Sequence, residues 1–387
     1  MTERRQTKTV RLYETDSSIS EFEATVLSCE GEGEGYAVTL DRTAFFPTGG
    51  GQTCDTGYIG TARVYDVTLR DCDAVHMTDR PLKVGEKYIC TLDYAERLSK
   101  MRSHTAEHIL SSYLFALKGY VNVGFHLGSA DTTCDFDGYL TEEELVEAEK
   151  YVNRIIMENH PVYATFPDGA ELENISYRSK LELEGDIRLV NVGEGGKIDI
   201  CACCAPHVLT TGQIGVFVIV DAYHYKGGTR IHMLVSDRAL ERIRSERECV
   251  RALSRMLSVK PLCDEVLSGV ERLGKENTEL KNAVNEGKTA LAEAISSSAE
   301  AGKPFYKVIS ESDADLLRKI AIGAREKNAT TVAVFGGGDG SYRFVICGDD
   351  AQTLLAKIKA LGGKGGGKDV ICGSVSCTED AIAELMK

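Results

Sequence analysis

Arg102-Ser-His-Thr-Ala-Glu-His-Ile-Leu110 sets two histidines, His104 and His108, one helical turn apart. Side chains at i and i+4 share a helix face, so two imidazoles placed this way can meet one metal ion. The surrounding residues argue for the helix. Met101, Ile109, Leu110, Tyr113, Leu114 and Leu117 recur at helical spacing, Asp93 with Glu96 reads as a capping box, and Gly119 is a C-terminal stop. Alone, His-x3-His on an amphipathic helix is more often incidental than metal-binding. Downstream, however, stands Cys203-x3-His207 within Cys201-Ala-Cys-Cys-Ala-Pro-His207. A thiolate and a third imidazole complete the donor set of a tetrahedral zinc site. The spacing predicts Zn2+ on His104, His108, Cys203 and His207.

Working outward, the chain divides into four parts of a multidomain α+β protein. Residues 1–92 alternate in short β-branched runs (Phe22–Leu27, Tyr36–Leu40, Ala62–Leu69, Tyr88–Leu92) between turn residues, which predicts a small closed β-barrel. Inside it lies Phe45-Phe-Pro-Thr-Gly-Gly-Gly-Gln-Thr53. Gly49, Gly50 and Gly51 permit close backbone approach to another surface, and Gln52 offers donors and acceptors. The bland reading is a flexible hairpin tip. Residues 93–240 are the α+β block of the histidine helix. It holds a strand pair within Val121–Phe136, a Thr141-capped helix Glu142–Asn159, and strands at Arg188–Val192, Gly215–Val220 and Arg230–Val235.

Residues 241–303 read as a helical linker. Val270, Asn277, Val284 and Leu291 fall at a and Leu273 and Leu280 at d of a heptad, although Gly287 interrupts the d positions. A single Asn at a selects register in two-stranded coils, so the segment 262–294 is expected to support a homodimer. Residues 304–387 alternate strand and helix as a compact α/β unit. Within it, Lys357-Ile-Lys-Ala-Leu-Gly-Gly-Lys-Gly-Gly-Gly-Lys368 carries four lysines and no acid, a glycine-lysine loop suited to phosphate at Lys364 and Lys368. It lacks the Walker spacing.

Composition excludes several classes. No segment approaches the ~20 apolar residues needed to span a bilayer, and the first residues lack the apolar core of a signal peptide. Thirteen scattered cysteines, an odd count with Cys203 and Cys204 adjacent, are not a secreted disulfide framework and point to reduced thiols and a cytoplasmic location. A net charge of −14 argues against nonspecific coating of nucleic acid, so any polyanion must meet local basic patches.

The ordered set of motifs resembles the long-form AlaX family of free-standing alanyl-tRNA editing proteins, similar to the editing and C-terminal domains of alanyl-tRNA synthetase. The resemblance rests on Gly49-Gly-Gly-Gln52, on His104-x3-His108 with Cys203-x3-His207, and on the glycine-lysine loop. Lys226-Gly-Gly-Thr-Arg230 resembles the end of the editing domain. The resemblance implies zinc-dependent hydrolysis of serine or glycine from mischarged alanine tRNA, without aminoacylation, and a C-terminal domain that grips tRNA. A second site of this kind hydrolyses near-isosteres that a synthetase pocket cannot exclude. It also implies catalytic roles for Thr105, as reader of the serine hydroxyl, and for Gln52. Gly49, Gly50, Gly51, Lys226, Arg230, Lys364 and Lys368 are the implied substrate contacts. Where relatives have Gly-Gly-Thr between the last two ligands, this chain has Cys204-Ala-Pro206, so Cys201 and Cys204 compete with Cys203 as the sulfur ligand. Spacing favours Cys203.

Two rival readings stand beside it. His104-Thr-Ala-Glu-His108 satisfies the H-x-x-E-H signature of inverzincin peptidases, with Glu107 as general base, but leaves the Cys-x3-His pair unexplained. Four protein ligands also suit a closed structural zinc in a non-catalytic tRNA-binding protein.

Overall fold

The structure, a computed structural model, describes residues 9–128, 132–179, 187–338 and 340–386. The leader reading above falls largely on residues 1–8, outside the described residues. The chain forms two compact units, Met1–Cys249 and Val250–Lys387, so the barrel and the α+β block, separated in the sequence reading, share one unit.

In the first unit six strands close a barrel in the order Glu21–Glu32, Gly35–Leu40, Asp73–Thr78, Ala62–Arg70, Gly57–Ile59, Lys87–Leu92. The last strand pairs antiparallel with the first, so the barrel keeps no open edge. Asp73–Thr78 and Gly57–Ile59 were not read as strands. The former hides a polar residue: His76 is fully buried, with Nε2 2.8 Å from Thr43 Oγ1 and Nδ1 donating to the Val38 carbonyl at 3.1 Å. The latter is only three residues long, too short for alternation to show.

Helix α1 (Tyr94–Lys118) leaves the barrel directly. Asp93 occupies its N-cap position but makes no side-chain cap, contrary to the expected capping box. Its carboxylate instead accepts from Arg63 at 3.2 and 2.7 Å and from Thr56, tying the helix start to the barrel wall, while Glu96 pairs with Lys100 at 2.8 Å. Gly119 ends the helix in the left-handed region as expected, its N–H donating to the Phe115 carbonyl. Met101, Ile109, Leu110 and Leu114 enter the main core against α2 (Glu142–Glu158), whereas Leu117 emerges into solvent. Thr141 and Glu144 close the α2 capping box.

Two sheets flank these helices. One runs Phe217–Tyr225, Gly228–Val235, Thr132–Phe136, Asn122–Leu127, and the other Val162–Thr165, Leu189–Val192, Asp199–Ala202. All their pairings are antiparallel.

Barrel and helix are fastened by a buried ion pair. Arg97 Nε lies 2.9 Å from both Asp55 carboxylate oxygens, Nη2 reaches Asp55 and the Ala44 carbonyl, and Asp55 also accepts from the Phe46 amide at 2.6 Å. Arg97, Met101, His104 and His108 fall along one face of α1, and Asp55 follows Gln52 by three residues. The ion pair therefore fixes the glycine loop over the histidines.

In the second unit the helix Cys263–Ser296 precedes a five-stranded sheet ordered Phe305–Ile309, Thr331–Gly338, Ser341–Gly348, Val370–Ser376, Lys364–Gly366. Strand alternation splits two cores. Val332 and Val334 face Leu316, Leu317 and Ile320 of the helix Ala314–Glu326, while Ala333 and Phe335 join Leu354, Leu355 and Ile358 of Ala351–Ala360. The glycine-lysine run departs from the expected free loop: Lys364–Gly366 is a short edge strand paired with Ser374, Gly373 and Cys372. Antiparallel pairing to a formed strand holds its backbone in the extended state rather than in a nest.

Candidate metal centre and its cavity

Four side chains from two places in the chain converge in the first unit. One ligand atom from each of His104, His108, Cys203 and His207 lies within 4.8 Å of all the others. Cys203 Sγ is 3.7 Å from His104 Nε2 and 3.4 Å from His207 Nε2. Helix α1 supplies the first two, as the i, i+4 spacing demands. The turn after strand Asp199–Ala202 supplies the others.

Each imidazole is held from behind through Nδ1. His104 donates to Gln52 Oε1 at 3.0 Å, His108 to Asp199 Oδ2 at 3.2 Å, and His207 to Thr105 Oγ1 at 3.0 Å. This bonding fixes the tautomer that leaves every Nε2 lone pair pointing into the cluster, as in histidine metal ligands generally. Asp199 is itself gripped by Arg178 through two bonds of 2.8 Å. Arg188 donates to the carbonyls of Cys203 and Ala205 at 2.7 and 2.9 Å, pinning the Cys-x3-His turn.

The electrostatics match a thiolate among imidazoles. Burial pushes the Cys203 thiol up, but His104 and His207 more than reverse it, leaving it well below the usual thiol range. Burial, with the neighbouring His108, lowers His207 to about 3. Three imidazoles and one thiolate are donors that fit zinc.

The three cysteines are placed differently. Cys203 joins the three histidines; Cys201 lies with Asp199 and His108 in a second group, and Cys204 is exposed. Neither group among the described residues contains a glutamate. Glu107 Oε1 accepts from Ser111 Oγ at 2.6 Å and from Asn122 Nδ2, while Oε2 stands 3.9 Å from His108 Nε2.

A cavity of about 450 Å3 opens beside the cluster, lined by Gly49, Gly50, Phe46, Tyr13, Arg188 and Cys203 among others. Of the substrate contacts anticipated from sequence, Gly49 and Gly50 reach it. Gly51 does not line it: with φ +83, an added Cβ would stand 2.5 Å from the Phe125 carbonyl, so this glycine serves the approach of the loop to strand Asn122–Leu127. Lys226 sits in the hairpin turn at φ 45, and Arg230 is closed on Asp135 at 2.6 and 2.7 Å beneath Tyr225; neither lines the cavity. Lys364 and Lys368 belong to the second unit. Thr105 is fully buried. Its hydroxyl donates to the Met101 carbonyl at 2.8 Å and accepts from His207 and, at 3.4 Å, from the Val208 amide.

Asp199, Arg178 and Arg188 escaped the sequence reading. A signal was present for Asp199: in Asp199-Ile-Cys-Ala-Cys203 the polar residues alternate, so a strand puts all three on one face. Nothing local marks the two arginines, whose partners are distant in sequence.

The fold places four donors where one metal ion could be held, and the comparisons relate this part of the chain to tRNA synthetases. Residues 187–232 match the family described as "Threonyl and Alanyl tRNA synthetase second additional domain". More particularly, the chain is similar to alanine–tRNA ligases along most of its length. It is 31% identical over 373 residues to the alanine–tRNA ligase of Natronomonas pharaonis, covering 90% of this chain and 39% of that protein. It is 30% identical over 408 residues to that of Pyrococcus abyssi, covering 98% and 44%. It thus spans about two fifths of the length of these curated relatives. The solved C-Ala domain of Aquifex aeolicus alanyl-tRNA synthetase shares 22% identity over 22% of this chain and 90% of that one, with a TM-score of 0.19, a likeness too slight to carry an argument.

Proposed function

We propose that this protein is a zinc-dependent editing hydrolase that removes serine or glycine from mischarged alanine tRNA, acting in trans in the cytoplasm without an aminoacylation activity. The observation that carries the reading is the cluster itself: three imidazoles aimed by Gln52, Asp199 and Thr105 at one thiolate, beside a cavity floored by the glycine loop. Water adds to the ester carbonyl, the acyl C–O bond breaks, and the amino acid leaves a free terminal hydroxyl. Zinc held by His104, His108, Cys203 and His207 would supply Lewis acidity or hold the substrate.

The chain's own residues prepare the site. Gln52 aims His104 through Oε1, while its buried Nε2 has no hydrogen-bond partner among the described residues, leaving a donor beside the cluster. A donor preset where carbonyl charge develops favours hydrolysis. Thr105 has its one donor and both acceptor sites engaged, so we assign it the aiming of His207 rather than direct contact with a serine hydroxyl. In the second unit, Lys357, Lys359, Lys364 and Lys368 are proposed to meet tRNA phosphates, and the helix Cys263–Ser296 to pair with a second copy.

One observation favours a second reading: four protein ligands can close a tetrahedron, which suits a structural zinc in a tRNA-binding protein. The zinc-loaded protein incubated with Ser-tRNA, Gly-tRNA and Ala-tRNA of the alanine isoacceptor decides. Release of serine or glycine with Ala-tRNA spared supports editing. Tight tRNA binding without release supports the structural reading.

A further inference from the structure

Three arginines lie at or beside this site, Arg97 and Arg188 buried and Arg178 half-buried, and two are neutralised: Arg97 by Asp55 and Arg178 by Asp199. Arg188 is the exception. It is 9% exposed and lines the cavity. Its Nε donates to the Glu14 carbonyl at 2.9 Å and its Nη1 to the Cys203 and Ala205 carbonyls, all neutral acceptors. Nη2 donates to no described residue. Arg11, also on the cavity, is already bonded to Glu14 and the Cys72 carbonyl. On the same cavity, the Gly50 amide also donates to no described residue. The negative groups near it are the Cys203 thiolate, which a zinc ion would take up, and Glu14, which Arg11 already holds, so an anion that enters the cavity meets an uncommitted guanidinium edge.

We propose that Arg188 is the anion receptor of this cavity and takes the phosphate of the nucleotide whose ribose carries the scissile ester. The inference rests on the editing reading. The aminoacyl group brings an ammonium, which a guanidinium repels, so the anion nearest the ester is the 5′-phosphate of the same nucleotide. Because Arg188 holds the carbonyl of Cys203, the anion site lies one residue from a metal ligand, with the ribose between phosphate and ester. The planar fork, fixed by three carbonyls, presents its remaining N–H groups without further loss of side-chain freedom.

Calorimetry on the zinc-loaded full chain tests this with adenosine 5′-monophosphate, adenosine and inorganic phosphate. The monophosphate should bind about tenfold or more tighter than adenosine and than phosphate alone. Arg188→Met should erase the preference and Arg188→Lys keep part of it. Equal affinities for the monophosphate and adenosine in the unmodified protein overturn the proposal, whatever the variants do. So does a preference that survives both substitutions, or inorganic phosphate binding as well as the nucleotide. Should Arg188→Met fail to fold, Arg188→Gln takes its place. A monophosphate preference without deacylation of mischarged tRNA would sink the editing reading alone; deacylation without the preference would sink this one alone.

Discussion

Helix α1 and the helix Cys263–Ser296 both carry apolar stripes, yet the first is embedded and the second is exposed along its middle, only its ends being buried. Met101, Ile109, Leu110 and Leu114 lie in the main core, whereas Val270, Leu273, Leu280 and Val284 are 50%, 54%, 66% and 57% exposed. The polar residues explain the difference. Helix α1 buries Arg97, His104, Thr105, Glu107 and His108, and each is met by a partner brought from elsewhere or one turn along: Asp55, Gln52, His207, Ser111 and Asp199. The long helix brings Asn277 and Lys281 along its stripe, both exposed, while Lys288 nearer its end pairs with Asp313 at 2.8 Å. Periodicity makes a helix in both. Burial depends on what the rest of the chain can offer to polar groups.

That contrast can be broken at several strengths. Cys203→Ala should strip the buried region of its function: metal analysis should find zinc lost and deacylation down by more than about a hundredfold, since even indirect supports of a metal ligand are worth that much. Retained zinc would move the sulfur ligand to Cys201. Next, Arg97→Met should cost about 3–5 kcal/mol in urea unfolding, because it strands Asp55 in the interior. A loss below 1 kcal/mol would mean the barrel and helix hold together without the pair.

His76 sharpens the comparison through pH. Burial lowers its pKa from 6.5 to about 4, so the folded state stays neutral while the unfolded chain takes up a proton. Its contribution is complete above pH 6.5 and is lost as pH falls toward 4, about 3 kcal/mol in all. His76→Gln should flatten this limb of the stability curve relative to the unmodified chain. An unchanged acid slope would place the loss elsewhere.

The smallest expected stability effect belongs to the bare helix. Leu273→Lys with Leu280→Lys should turn a sedimenting dimer into a monomer while unfolding stability changes by only about 0.5 kcal/mol, as for exposed positions. An unmodified chain that already sediments as a monomer would defeat the dimer and leave the editing proposal untouched.

The contrast also separates what was legible. Helix boundaries and the two ligand pairs could be read locally, because i, i+4 geometry and cysteine-histidine spacing are properties of a few neighbouring residues. Asp93 misled for the opposite reason: its capping pattern was present, but Arg63, thirty residues earlier, outbid the helix amides. The glycine-lysine run misled in the same way, since an available edge at Gly373 drew it into a strand.

The sequence by itself determined a barrel-like β segment, the histidine helix, the alternating C-terminal unit and a donor set suited to zinc, all through periodicity and ligand chemistry. Only the tertiary structure decided that Cys203 lies among all three histidines while Cys201 sits with His108 and Asp199, that Thr105 bonds His207, and that Arg188 is buried on neutral carbonyls. These depend on hydrogen bonds across 15 to 102 residues of chain, and no local pattern encodes which distant group will fill a given lone pair.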